Sequence, residues 1–363
     1  MYFNALASVN GNFNSNDKVT PSSDMIIKSG MYGLSAVGSD WNGGVTGVEL
    51  SGDSAYGVYV GGRSNTHYSN SLRRVTMLGG IVNSVNGGPC VANDLTTNST
   101  AFYMLGGYAN TVYGGAATST TYGNRIVSIT GGVVGYNVFG GSNAYNGGSS
   151  DGQLSGSTLV YIGGNSVIGS ADTSGSRFNA EHGSVFGAGN GRSGAESAGR
   201  VYSSHIIIDG NATINGNVYG GGNYGSVGFS NANSKDATID VYGGNIKNNV
   251  YGGGNNIGSG SSDIISSTYL NYYNGNLTGS LFGGSRTNGT INGSANINVY
   301  GGNISTDVYG GGEGNNTYVS KNVIFYNTDT GKTEIKHIPS EIGVRVVGDD
   351  FLYGERNLCL GNV

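Results

Sequence analysis

Asp209, Asp236, Asp240, Asp307, Glu181 and His182 carry the side chains that acid–base chemistry on a polysaccharide would need. Glycoside cleavage or elimination requires carboxylates, or a basic group, poised on one face of the fold. Asp209 and Asp240 read as occupants of one repeat position, but Asn298 takes that position in a later copy. A solvated strand face accounts for them, and no catalytic residue is assigned. His67, His182, His205 and His337 are scattered without ligand spacing, so no metal site is assigned. The calcium-binding pattern G-G-x-G-x-D is absent, although the glycine-rich stretch around Asp263 comes near it. Gly331-Lys332-Thr333 lacks the upstream glycine of a phosphate-binding loop, and no cofactor is assigned.

Two other sets recur with regularity. Tyr113, Phe139, Phe186, Tyr219, Tyr251, Phe282 and Tyr309 each follow an aliphatic residue and precede glycines. They could offer a stripe of aromatic faces to a sugar, or stack between successive layers of a repetitive fold. One of each aliphatic–aromatic pair must face inward, and the structural role is the reading adopted. Asn143, Asn190, Asn223 and Asn255 follow the glycines, and stacked at one corner they would form a hydrogen-bonded amide ladder. That ladder is expected to break at Ala116, Ser285 and Glu313.

The elements that must position these residues are short. Ile239-Asp240-Val241-Tyr242-Gly243-Gly244-Asn245-Ile246 is followed by Val250-Tyr251-Gly252-Gly253-Gly254-Asn255, and Ile297 to Gly312 is a near twin. Weaker copies extend the array back towards Val58. Successive second-piece aromatics are 26, 47, 33, 32, 31 and 27 residues apart, as a constant core with a variable loop would give. Ile239-Asp240-Val241 alternates as a half-buried strand does, and the glycines read as corners where φ turns positive. One such turn cannot bury its own apolar side, but stacked turns can. The fold class expected is therefore all-β, a parallel β-helix. The strands at 239–242, 248–251, 297–300 and 306–309 are expected to stack in parallel. Helix is excluded, since glycine at this density costs about 1 kcal/mol per residue in a helix.

Composition bounds the partners. Glycine is 70 of 363 residues, proline only 3 and tyrosine 25, a pattern that fits neither collagen nor disorder. A net charge of -5 supplies no basic field for nucleic acid. No run has the roughly 18 apolar residues of a membrane helix. Cys90 and Cys359 read as two isolated buried thiols. The first residues lack the basic start and apolar core of a secretion signal. The chain is read as exported by another route, as a fragment, or as released by lysis.

Residues 1–45, polar and poor in repeats, are expected to cap the solenoid, whose repeats span 46–313. Residues 314–363 hold 11 of the chain's 39 formal charges and carry a hairpin signal around Asn327 to Lys332, read as a second cap or the start of a further domain.

Motifs such as Asn249-Val250-Tyr251-Gly252-Gly253-Gly254-Asn255 and Val299-Tyr300-Gly301-Gly302-Asn303-Ile304 resemble those of glycine-rich, adhesin-like surface repeat proteins of bacteria. The resemblance covers 100–313 well and 46–100 weakly. It implies a right-handed parallel β-helix of the pectate-lyase-like kind and an extracellular or cell-surface location, and it carries over no catalytic residue. The expected function is a non-enzymatic structural or adhesive scaffold that displays loops to glycans, a host surface or another partner, self-associating or part of a larger chain. The alternatives are a phage tail spike or fibre component on a virion, and a polysaccharide lyase or glycoside hydrolase. Any partner is expected at the loop-bearing edge between about 142 and 295, away from the glycine corners.

Overall fold

In Ala237–Val241 the first, third and fifth side chains are buried and the two between them reach the surface. This period of two is what a strand with one covered face requires. The same pattern recurs in Arg125–Ile129, Thr158–Ile162 and Ser204–Ile208. Each of these strands pairs in parallel and in register with the next, and the series continues through Thr268–Tyr272 to Ala295–Val299. The computed structural model describes residues 73–88, 99–116, 120–144, 154–169, 182–195, 198–229, 235–255, 264, 266–314 and 316–319. It also describes the backbone at 25–27, 37–38, 47–50, 54–60, 322–327, 332–337 and 358–359. Cys90, His67, Glu181, Asp263 and most of 1–45 lie outside the described residues.

The chain is an all-β parallel solenoid, and each coil has three walls. The five-residue strands make the first wall. The second wall begins undivided, with the six-residue strands Ser54–Tyr59, Ile81–Asn86 and Tyr108–Tyr113. From Val133 onward it splits into two-residue pairs. Val133–Val134 and Val138–Phe139 both lie along Tyr108–Tyr113. Six coils, from 125–139 to 295–309, share this divided plan. The third wall is sparse: Val201, Val227, Ile264 and Ile291 are linked coil to coil by single parallel bridges. At one end Met25–Ile27, inside the expected cap, pairs in parallel with Gly47–Leu50. At the other, Asn322–Asn327 and Lys332–His337 form an antiparallel hairpin on the first wall.

The expected strand at 248–251 is shorter, Val250–Tyr251, because Asn248 and Asn249 occupy the bend of the divided wall. There a side-chain oxygen replaces a backbone carbonyl. Asn137 Oδ1 accepts from the Ser184 amide, Asn217 Oδ1 from the Asn249 amide and Asn249 Oδ1 from the Ser280 amide, each at 2.8–2.9 Å.

Two cores result. Phe102, Val127, Val160, Ile206, Ile239, Leu270 and Ile297 lie along the interior, joined by Val112, Val138, Val185, Val218, Val250 and Leu281 from the second wall. Burial of each such side chain contributes about 1.5–3 kcal/mol, and only stacking supplies the cover. Polar residues at the inward start of the first wall are satisfied by glycine carbonyls. Thr158, Ser204 and Thr268 hydroxyls donate to the carbonyls of Gly187, Gly220 and Gly283. Arg125 occupies that row too, buried, with Nη1 donating to the Asn124 carbonyl at 3.2 Å.

The glycine corners are of two kinds, which corrects the expectation that all of them serve positive φ. The first corner, between walls one and two, does need it: Gly244 has φ +86°. The glycines that come directly after the aromatics have no such φ. Their requirement is steric. A Cβ at Gly252 would overlap the carbonyl oxygen of Gly283 in the next coil.

Candidate functional site

The aromatics of the second wall form one column. Ring centroids from Tyr113 through Phe139, Phe186, Tyr219, Tyr251 and Phe282 to Tyr309 are 4.6–5.1 Å apart, with interplanar angles of 6–12°. The column is a cluster of its own, with all but Tyr309 buried. From Phe139 to Phe282 both ring faces are turned to neighbouring rings, so none of these is offered to a sugar. Beyond the second corner the chain turns back to meet the tyrosine hydroxyls. Tyr251 donates to Glu313, and Arg286 Nη1 donates to the Tyr219 hydroxyl at 3.5 Å. Arg286 also pairs with Glu313 at 3.5 Å. Burial raises the pKa of Tyr113, Tyr219 and Tyr251, so their hydroxyls stay protonated.

The amide ladder runs beside this column. Asn190 Nδ2 donates to Asn143 Oδ1 (3.2 Å), Asn223 to Asn190 (2.9 Å) and Asn255 to Asn223 (3.2 Å), all in one direction along the axis. The backbone register places its ends differently from the expectation. Asn143, Asn255, Arg286 and Glu313 amides donate to the carbonyls of Ala116, Gly222, Gly254 and Ser285 respectively. The amide bonds run from Asn143 to Asn255, and the backbone row passes on to Arg286 and then Glu313, while Ala116 and Ser285 each sit one residue before that row.

Among the described residues the acids do not converge. Asp240 is on the outer face of the first wall, in register with Ile207 and Asn271. Asp209 is two residues beyond Ile207, at the first corner, so the two aspartates do not share a position. The Asp240 carboxylate lies 2.7 Å from His205 Nε2 and accepts from Asn271 Nδ2 at 2.7 Å, while Asn298 donates to Asn271 at 2.7 Å. Burial would raise its pKa, but the hydrogen bonds from His205 and Asn271 and the attraction of His205 outweigh that and lower it. Asp236 Oδ1 accepts from the Ser267 amide at 2.9 Å, and Asp307 lies at the bend, accepting from the Tyr309 hydroxyl at 3.1 Å. His182 packs edge-on against Tyr136. Among the described residues no group of three or more His, Cys, Asp or Glu is placed to hold a metal.

One set escaped sequence reasoning. Tyr242, Tyr273 and Tyr300 stand at the first corner of successive coils and stack at 4.6 Å with interplanar angles of 4–5°. The row is at the surface, with Tyr242 and Tyr300 the more exposed. Polar rows flank it: Asp240, Asn271 and Asn298 on the first wall, and Asn245, Asn276 and Asn303 on the second, where Asn276 donates to Asn245 at 3.1 Å. The signal was the first Val-Tyr-Gly-Gly of each copy, at Val241 and Val299, which repeats the second.

Comparison of the chain with protein-family models, with curated proteins and with solved structures finds no match.

Proposed function

We propose that the chain is a non-catalytic structural or adhesive surface protein, a rigid solenoid that displays variable loops to glycans or another partner. The supporting observation is where length varies. The first corner is three or four residues in each coil from 78–80 to 300–302. The return from the second wall to the next first-wall strand ranges from 114–124 to 140–157. A scaffold held in register by continuous ladders, with length varying in the return and in one insertion at the bend of the second wall (169–184), suits recognition by loops. The described aspartates, Asp209, Asp236, Asp240 and Asp307, are dispersed and each is engaged in a ladder or corner contact, which supports a non-catalytic reading. The test is to shorten 256–263 to a minimal turn and measure glycan-array binding. Loss of binding at an unchanged melting temperature is expected, and retained binding overturns the loop assignment. Release of reducing or unsaturated ends from polysaccharides would make the protein an enzyme.

A further inference from the structure

Side chains of unequal length follow one another at the first corner. The Asp209 amide donates to the Ile162 carbonyl and the Tyr242 amide to the Ile208 carbonyl, so Gly163, Asp209 and Tyr242 succeed each other coil by coil. Gly163 has no side chain, and the ring of Tyr161 takes its place, with Cε1 2.6 Å from where a Gly163 Cβ would lie. Asp209 is therefore a short side chain between two tyrosine rings. The coils that carry those rings are two steps of about 4.8 Å apart. One face of Tyr242 is stacked on Tyr273 at 4.6 Å, and the other looks towards Asp209. An aspartate ends where a tyrosine ring begins, so the outer part of that face stands clear above the carboxylate. The exposure agrees: Tyr242 is 45 % exposed, and Tyr273, stacked on both faces, is only partly so.

The floor of this notch is polar. The Asp209 carboxylate accepts from the Tyr161 hydroxyl at 3.3 Å through Oδ2 and from the Gly210 amide at 2.6 Å through Oδ1. Each carboxylate oxygen has two lone pairs, so each retains one for a further donor. Gly210 and Asn211 beside it are exposed. Asn211 Nδ2 donates to Asn165 Oδ1 at 3.4 Å and has a second N–H to give.

A flat apolar face next to a fixed carboxylate and an amide matches the two sides of a pyranose. Its C–H face packs on the phenol ring, and its hydroxyls donate to Asp209 and accept from Asn211. An ammonium group would also suit a ring face and a carboxylate, but it brings no acceptor for the amide. Charge narrows the choice of sugar. Asp240 precedes Tyr242 by two residues on the outer face of the first wall, a second carboxylate on the same edge. An acidic sugar would set a third negative group beside these two, and like charges brought together oppose binding.

We propose that the notch at Asp209, between Tyr161 and Tyr242, is a binding subsite for a neutral pyranose, stacked on the free face of Tyr242 and held through its hydroxyls by Asp209. The corner joins the first and second walls, away from the return that varies in length, and the inference stands independently of what the loops bind.

The experiment uses the full chain and saturation-transfer NMR. The probes are the methyl glycosides of glucose, galactose and mannose, with methyl glucuronide as the acidic counterpart. Transfer to the ring C–H protons of at least one neutral glycoside is expected, and none to the glucuronide. Tyr242→Ala should abolish the signal, and Tyr242→Phe, which keeps the ring face, should retain it. Asp209→Asn still accepts from the Gly210 amide and should weaken binding about tenfold, as loss of a hydrogen bond to a charged group does. Circular dichroism establishes that each variant is folded. Shortening 256–263 should leave the signal unchanged, so that failure of this inference and failure of the loop reading show separately. The absence of transfer to every neutral glycoside overturns the proposal, as does equal transfer to the glucuronide or a signal that survives Tyr242→Ala. Preferential, salt-sensitive binding of lysine methyl ester would make the notch a cation site and overturns it as well.

Discussion

Tyr242 and Tyr251 occupy the same Val-Tyr-Gly-Gly tetrapeptide twice in one coil, yet Tyr242 is 45 % exposed and Tyr251 is fully buried. In both copies the valine faces the aliphatic core. The difference arises in the path of the chain beyond the glycines. After Tyr242 the chain makes a tight corner and enters the second wall at Asn245. After Tyr251 it enters the variable return, from which later coils send Arg286 and Glu313 back across the column.

The two tyrosines should therefore differ in energy. Tyr251→Ala removes a ring from the middle of a buried stack and should cost about 3–5 kcal/mol. Tyr242→Ala removes one end of an exposed stack, worth about 0.5–1.5 kcal/mol. Denaturant midpoints of the two variants decide the matter. Equal losses would show that the cost does not follow burial within the single chain.

Val250 is fully buried among aliphatic side chains of the interior. Val250→Asp places a charge there between the aliphatic side chains of Val218 and Leu281, its neighbours in the row. The expected cost is several kcal/mol, on the order of that for a buried polar group left without a partner. A thermal melt within about 0.5 kcal/mol of the parent, the usual size for a surface change, would show the side chain facing outward.

The parallel stack was legible because Ile239-Asp240-Val241 shows its period directly and because Val250-Tyr251 recurs with glycines after it. The amide ladder was legible for the same reason, from Asn143 to Asn255. Its continuation was not, since Ser285 and Arg286 are adjacent and only backbone pairing tells which one aligns with Asn255. The exposed tyrosine row was hidden by identity: a tetrapeptide found twice carries no mark of which copy a later segment will cover. The dispersal of the acids was equally out of reach. Asp209 and Asp240 each follow an isoleucine, and their two-residue offset appears only when Ile207 is set beside Asp240.

Asp240 gives the stability a small dependence on acid. Its carboxyl titrates below the ordinary 3.8 in the folded chain, although burial alone would raise it, because His205 and Asn271 hold the ionised form. A folded pKa below the unfolded one stabilises at pH values above the unfolded one, and that stability is lost as pH falls through the folded value. Asp240→Asn should flatten the fall in stability below about pH 4, by no more than about 1 kcal/mol because the pair is partly exposed. Melting temperatures from pH 6 down to pH 2.5 measure the slope. A variant as acid-sensitive as the parent would show that Asp240 carries none of it.

Gly244 and Gly252 test the claim that the two corners need glycine for different reasons. At Gly244 the backbone has φ +86°, and a Cβ would also lie 2.9 Å from the Ala212 carbonyl oxygen, a tight approach but a smaller overlap than the one at Gly252. Alanine there should cost about 1–2 kcal/mol of backbone strain, and asparagine less, since its side chain tolerates the left-handed region. Gly252 has no such φ, but its missing Cβ is where the Gly283 carbonyl lies, with Thr268 Cβ 3.0 Å away on another side. Neither neighbour can yield without moving a coil. Alanine there should cost about 3 kcal/mol or more, the upper range for overpacking, and asparagine should cost more than alanine because it is larger. The asparagine-to-alanine order thus inverts between the two sites. Denaturant midpoints for the four variants read that order directly, and the same order at both sites would show that a single requirement, conformational or steric, governs both corners.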